Sequence, residues 1–447
     1  MTAAPEPSSV KRALSAHAAI GLLTSALLYI VCLTGTISVF YPELQRLEQR
    51  DAPEMPAIAP QAVQRGVEAV LASEKGKPTT THLFVHMPVD DLPRATITTD
   101  TGAVHLNPDG TIAGPEEIAW SDFLIALHYT LNLPSVVGLT VVGALGAMLL
   151  ALSLTGIIAH PRVFRDAFNL RARDSNGVGL ADWHNRLSVW TLPFSTALAL
   201  TGAIIGLGSV TAMGLAALFK DGNVEAVYAP LFGPEGKPNA QPAPPADVAA
   251  VITNFTRTYP QAVPTYVTIH EPGTLGQEVV VSARHPHRLI FGESYRYDAR
   301  GRLLGIAGLS DGAIGQQAGA SIYGLHFGNF GGLPVKLAYL VLGAALTGIC
   351  ATGVFIWLGK RRRRGHVEPR LHRLWDGVVW GSPFMLGMTF VARKALGNGA
   401  PLVAIFWIGL VMILLASIPS VADVRFRKAV QAMAAFGLLL PAMLMLG

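Results

Sequence analysis

His17 stands where a basic leader carrying Lys11 and Arg12 gives way to an uncharged, mostly apolar run that reaches Thr34-Gly35. A run of that length crosses a bilayer, and inside a bilayer its backbone groups must bond to one another, as helix. The phrase returns. His184 heads a second apolar run with Thr201-Gly202 inside it, and histidine and threonine are 17 residues apart in both places. An imidazole at the end of a membrane helix is costly to immerse without a partner, so it marks function. Two of them at matching depth in duplicated segments point to a pair that holds something between them.

Charged residues make up only 14% of the 447-residue chain, against about 25% in soluble domains; this composition is that of an integral membrane protein. The net charge of +5 follows from positive charge in short loops, which orients membrane helices. No nucleic-acid module is recognisable. Cys32 and Cys350 both fall within apolar runs, which argues against a disulfide framework, a thiolate metal site or a thiol redox centre. The first apolar run lacks a small-x-small cleavage site and reads as a retained helix.

Seven apolar stretches are long enough to cross, or nearly so, near residues 18–40, 135–159, 187–210, 337–359, 377–394, 400–419 and 429–446. The fifth is the weakest, being short and interrupted by Pro383. Segments 1–17, 160–187, 360–376 and 423–428 hold half of the 34 basic residues, with Lys360 to Arg364 the clearest stop signal. Alternation of the helices puts these segments on one side, the cytoplasmic one, with the N-terminus inside.

Two long soluble segments, 41–132 and 220–335, then face outward. Each opens on a Pro-rich linker, continues with a helical pattern (Gln61 to Ser73, Ala246 to Thr258) and passes into strand-like alternation. Each closes on a hairpin turn, Asn107-Pro108-Asp109-Gly110 and Asp298-Ala299-Arg300-Gly301. Each reads as a small α+β domain of one helix on an antiparallel sheet. After each domain a histidine leads into the next helix: Leu127-His128-Tyr129 before Leu133-Pro134, and Leu325-His326-Phe327 before Leu333-Pro334. Thr155-Gly156 and Thr352-Gly353 lie near the inner ends of those helices. The unit of helix, outer domain, histidine and helix occurs twice with both copies starting inside, a parallel repeat. The expected division is a leader and first helix (1–40), an outer domain (41–134), two helices around a cytoplasmic loop (135–210), a second outer domain (211–335), a fourth helix with its basic loop (336–375) and three additional helices (376–447).

His17 with Thr34-Gly35, His128, the Asn-Pro-Asp-Gly turn, Trp183-His184-Asn185-Arg186-Leu187 and Leu325-His326 with its downstream Thr-Gly resemble the PepSY-associated transmembrane family. This family includes bacterial ferric-siderophore reductases and iron-regulated inner-membrane proteins. The resemblance covers residues 10 to about 365 and implies an α-helical integral membrane protein with two extracytoplasmic PepSY-like domains. It further implies haem b in the membrane core and electron transfer to a ferric chelate at the periplasmic face. The three helices after residue 375 lie beyond the family's four-helix core.

Haem iron held by two imidazoles has no open site and suits electron transfer. Symmetry pairs His128 with His326 at the outer face and His17 with His184 at the inner face. The layers are about 25 Å apart, from seventeen helical residues at ~1.5 Å each, so two haems bridge the bilayer better than one. His372 competes for the inner position: Arg370-Leu371-His372-Arg373-Leu374-Trp375 resembles the phrase around His184, and Thr389 again follows by 17. His160 and His366 are weaker loop candidates. The Thr-Gly pairs read first as helix packing and second as haem contacts. His82 with His86, and His285-Pro286-His287, are candidate iron ligands in the outer domains, with Arg284 and Arg288 able to attract an anionic chelate. Trp120, Tyr323 and Phe327 flank the outer histidines, either as haem walls or as an interfacial aromatic belt.

No dinucleotide-binding glycine pattern appears, so the electron donor is a separate quinol or cytosolic reductase. The expected activity is reduction of a ferric siderophore with release of Fe(II). Two further classes fit the outline: a non-enzymatic sensor or scaffold binding a peptide or partner, and a siderophore or haem transporter. The near absence of charge within the spans speaks against proton coupling in the transporter.

Overall fold

The structure is a computed structural model. It describes residues 8–160, 164, 178–232, 236, 238–285, 289, 293–307, 312–418, 427–435 and 437. The chain divides into a helical unit, built from Met1–Tyr41, Ala119–Gly208 and Gly331–Gly447, and a sheet unit, built from Pro42–Ile118 and Ser209–Phe330.

Among the described residues, four helices are long and apolar enough to cross a membrane: α1 (Ser8–Ser38), α5 (Ser135–Ala159), α7 (Leu192–Phe219) and α11 (Gly332–Arg363). These are four of the seven expected spans. Helix α13 (Leu402–Ala416) is apolar but only 15 residues long. Helix α12 (Pro369–Leu396) has the length, 28 residues, but carries Arg370, Arg373, Asp376, Arg393 and Lys394. The seventh expected span lies mostly outside the described residues.

Within the helical unit, α1 packs against α5, α11 and the shorter α4 (Ala119–Thr130), while α6 (Val178–Trp190) lies on α11. Small residues set how closely helices approach: Gly143 and Gly146 of α5 face Gly206, Ala203 and Ala199 of α7 across a gap with no room for a Cβ. Cys32 and Cys350, distant in sequence and both free thiols, meet with sulfurs 3.9 Å apart where α1 crosses α11.

Helix α12 passes through Pro383 without ending. Proline offers no N–H to the carbonyl four residues earlier, here Val379. The Tyr29 hydroxyl of α1 donates to that carbonyl at 2.7 Å, so the acceptor left over by the proline is satisfied from a neighbouring helix. Arg373, also buried, donates to the Ser417 carbonyl just past the end of α13. The "weak" fifth span is therefore a buried bracing helix, with polar groups spent on its neighbours.

In the sheet unit, eight antiparallel strands run in the order β4-β3-β2-β1-β5-β6-β7-β8. The first four are β1 (His82–His86), β2 (Thr96–Thr99), β3 (Gly102–Leu106) and β4 (Ile112–Pro115). The last four are β5 (Val263–His270), β6 (Glu278–Arg284), β7 (Glu293–Asp298) and β8 (Leu303–Ala307). The two domains expected from the sequence are thus two meanders of one sheet, joined where β1 pairs with β5. Helices α3 (Pro60–Ser73) and α9 (Val248–Thr258) cover one face, and their Val63, Val67, Val251 and Phe255 share one core with Leu83, Val85, Ile97, Val267, Ile269, Val279 and Val281. The expected hairpin turns are present. Gly110 adopts φ +89° and lies against the Ala62 backbone, a position that only glycine fits.

Candidate functional site

Three of the four histidines expected to bind a cofactor lie in the helical unit, and each rests its ring on a Thr-Gly or Gly position of a neighbouring helix. His17 of α1 places Nδ1 3.1 Å from the Leu152 carbonyl and 3.2 Å from Thr155 Oγ1 on α5. His128 of α4 places Nδ1 2.9 Å from the Val31 carbonyl of α1. His184 of α6 places Nδ1 2.9 Å from Thr352 Oγ1 on α11.

These partners decide the tautomer. A carbonyl oxygen only accepts, so His17 and His128 donate from Nδ1–H. The Thr352 hydroxyl proton is committed to the Gly348 carbonyl at 2.8 Å, as that of Thr155 is to Ala151 at 2.7 Å. Thr352 Oγ1 therefore accepts, and His184 donates from Nδ1 as well. All three neutral rings carry their lone pair on Nε2, the arrangement in which metal-ligating histidines are held.

The glycine of each pair makes room for the ring. A Cβ on Gly35 would stand 2.5 Å from His128 Cε1, one on Gly156 3.4 Å from His17 Cε1, and one on Gly353 3.6 Å from His184 Cε1. The first position excludes any side chain; the other two are at ordinary contact distance. Gly35, Gly156 and Gly353, from three of the four Thr-Gly pairs, are thus seats for imidazoles.

His326 lies in the sheet unit, on α10 (Ile314–Phe327), with the Phe327 ring edge-on at 6.0 Å. Gly324 on the same helix packs on the Leu289 carbonyl with no space for a Cβ, which fixes how α10 lies.

His372 is held differently. Its Nδ1 is 3.1 Å from Asp376 Oδ2, and Arg427 Nη2 stands 3.0 Å from its Nε2. Arg427 Nε also reaches Asp376 at 3.2 Å. The same Nη2 is 3.3 Å from Nδ1, so the guanidinium lies against the ring rather than in line with the Nε2 lone pair, while Nδ1 faces the carboxylate. His160 caps the C-terminal end of α5, and His366 lies in the loop after α11.

Trp120 is buried, its indole N–H 3.1 Å from Thr389 Oγ1 and its ring edge-on to Phe390. With Phe123 against Phe406 and the Ala119 N–H on Asn398 Oδ1 at 3.0 Å, it ties α4 to α12 and α13. Sequence reasoning found no role for these last helices; they brace the helix that carries His128. Tyr323 and Phe327 are partly exposed, with rings 5.8 Å apart.

The histidines of the sheet unit have other occupations. His105 is buried with Nε2 3.0 Å from Gln49 Oε1 and Nδ1 2.9 Å from Thr96 Oγ1; burial, with Arg94 nearby, pushes its pKa down to about 4. His86 sits beside Tyr266, and burial lowers its pKa to about 4 too. His285 pairs with Glu293 at 2.7 Å; His287 and Arg288 lie outside the described residues. His82 and His86 are four residues apart on one strand, about 13 Å at ~3.3 Å per residue, too far to share an ion. Among the described residues no three His, Cys, Asp or Glu side chains gather as a metal cage.

The sequence profile of the PepSY-associated TM region matches residues 14–360. The chain is also similar to an uncharacterized protein of Pseudomonas aeruginosa, 26% identical over 301 residues that cover 63% of this chain and 75% of that one. With four helices among the described residues long and apolar enough to cross a membrane, imidazoles seated against Gly35, Gly156 and Gly353 and a match over most of its length, this chain is a multi-pass membrane protein that belongs to the PepSY-associated TM family.

Proposed function

We propose that this protein is a haem b transmembrane oxidoreductase of the bacterial cytoplasmic membrane that reduces a ferric siderophore at the periplasmic face and releases Fe(II). In this reading the N-terminus is cytoplasmic and the sheet unit periplasmic, the orientation that the basic segments favour. His128 with His326, and His17 with His184, would hold the two haems. The observation that supports the reading is the shared placement of Nδ1 of His17, His128 and His184 within hydrogen-bond distance of an oxygen on a neighbouring helix. Iron held by two such imidazoles and a porphyrin supplies one-electron transfer with no open coordination site.

The protein's part is to hold these rings. Each acceptor fixes one ring orientation, and Gly35 keeps its helix close to His128 without displacing the imidazole. His372, with Asp376 on Nδ1 and Arg427 against its ring, is the competing inner ligand. The substrate follows from ligand softness: oxygen chelators that suit hard Fe(III) hold softer Fe(II) poorly, so reduction releases the ion. The electron donor is a quinol or a cytosolic reductase.

The test is a pyridine haemochrome assay on the purified protein, with haem counted per polypeptide. Two haems b are expected in the parent and one in the His128→Ala/His326→Ala double variant. Proteoliposomes given an internal reductant should then reduce an external ferric hydroxamate, followed by trapping of Fe(II). A colourless, stable preparation overturns the proposal and favours a sensor or scaffold acting through the sheet unit.

A further inference from the structure

The sheet unit brings together two histidines that the sequence keeps 188 positions apart. His82 opens β1 and His270 ends β5, and the two are directly opposed in the antiparallel register, followed by Phe84 opposite Thr268 and His86 opposite Tyr266. Directly opposed residues project to the same face of a sheet with Cβ atoms about 5 Å apart. The two rings lie with centroids 4.9 Å apart at an interplanar angle of 81°.

From this geometry we infer that His82 and His270 form a two-imidazole site for a divalent first-row transition-metal ion on the sheet unit. A metal about 2.0–2.1 Å from an imidazole nitrogen is about 3.2 Å from the ring centre. Two imidazoles meeting it at roughly 90–110° then have centres about 4.5–5.2 Å apart. The observed spacing falls in that range, whereas His82 and His86 along one strand do not approach it.

A hydrogen-bonded relay sets the nitrogen that His82 presents. Thr81 donates both its backbone N–H, at 2.8 Å, and its hydroxyl, at 3.1 Å, to Asp100 Oδ2. With its proton so committed, Thr81 Oγ1 accepts from His82 Nδ1–H at 2.9 Å, which leaves the imidazole lone pair on Nε2. Carboxylate, hydroxyl and imidazole in series form the outer-shell arrangement that orients metal-binding histidines and raises their basicity. The Glu271 N–H bonds the Thr81 carbonyl at 2.9 Å, locking the end of β5 to the start of β1.

His82 is exposed and His270 half-buried, so an ion can reach the pair. Among the described residues no third His, Cys, Asp or Glu joins them. The remaining coordination positions go to water or an incoming ligand, which makes the site one of exchange rather than a structural cage. Imidazole favours Cu, Ni, Zn and Fe(II) over Ca and Mg. The inference does not depend on haem binding or on reductase activity.

The test titrates the purified full-length protein in detergent with Cu(II) alone, read by electron paramagnetic resonance and electron spin echo modulation. One Cu(II) per chain with two imidazoles is expected. His82→Ala or His270→Ala should convert it to a one-imidazole signal and weaken binding by about 100-fold, the gain normally made by tethering a second ligand. Thr81→Val should weaken binding by about 10-fold with both imidazoles retained, and His86→Ala should leave binding unchanged. An unaltered two-imidazole signal in the His82→Ala/His270→Ala double variant would overturn the assignment. So would a parent spectrum with a single imidazole.

Discussion

His184 and His372 open similar phrases, each followed by threonine 17 positions later, yet the structure surrounds them with different partners. His184 rests Nδ1 on Thr352 and keeps its lone pair on Nε2. His372 has its Nδ1 against Asp376 and the Arg427 guanidinium against its ring. Spacing measured along one helix says nothing about what a neighbouring helix offers. Thr201 and Thr389 follow their histidines at the same interval, but the residue that matters to His184 lies 168 positions away on α11. The two rings thus differ in what holds Nδ1, a neutral hydroxyl for His184 and a carboxylate for His372.

The comparison breaks most sharply on haem content. His184→Ala should lose one haem of two and His372→Ala none, as read by pyridine haemochrome on matched preparations. Retention in the first or loss in the second would reverse the two roles. The seats themselves give the next effect. Gly35→Ala forces a methyl into the His128 ring, costing about 1–3 kcal/mol as overpacking does and broadening or shifting the reduced b-type band. Gly353→Ala meets His184 only at 3.6 Å and should stay within about 0.5 kcal/mol of the parent. Thermal melts and spectra of the two variants distinguish the tight seat from the loose one.

A separate effect is set by pH and concerns two histidines of the sheet unit that burial holds neutral. His86 and His105 titrate near 4 in the folded protein, against about 6.5 in an unfolded chain. Between these values the unfolded chain binds the extra proton. The contribution of each ring is therefore complete above about pH 6.5 and is lost as pH falls toward 4. Acidification to about pH 5 should cost about 2 kcal/mol per histidine. A His86→Gln/His105→Gln variant should show a flatter dependence of melting temperature on pH over that window. An unchanged slope would mean that these rings are not held neutral.

Membrane residence, the four long spans, the two helix-then-strand segments and their Gly-closed turns were all legible in the chain, because each depends on local periodicity and on composition within a few dozen residues. His17, His128 and His184 stood out for the same reason: a polar ring at the end of an apolar run is visible without knowing the fold. The rest rests on partners distant in sequence. Pro383 looked like a break in the fifth span until Tyr29, on another helix, supplied the donor its carbonyl lacked. The two outer segments looked like two domains until β1 and β5 paired them into one sheet. That same pairing sets His82 beside His270, 188 residues on, and no motif along the chain encodes it. Local sequence determined which segments are helix, strand and membrane-spanning, because backbone propensity and hydrophobic burial act over short stretches. Only the tertiary structure decided which nitrogen each imidazole presents, because a tautomer is fixed by the acceptor across the helix interface and not by the residues on either side.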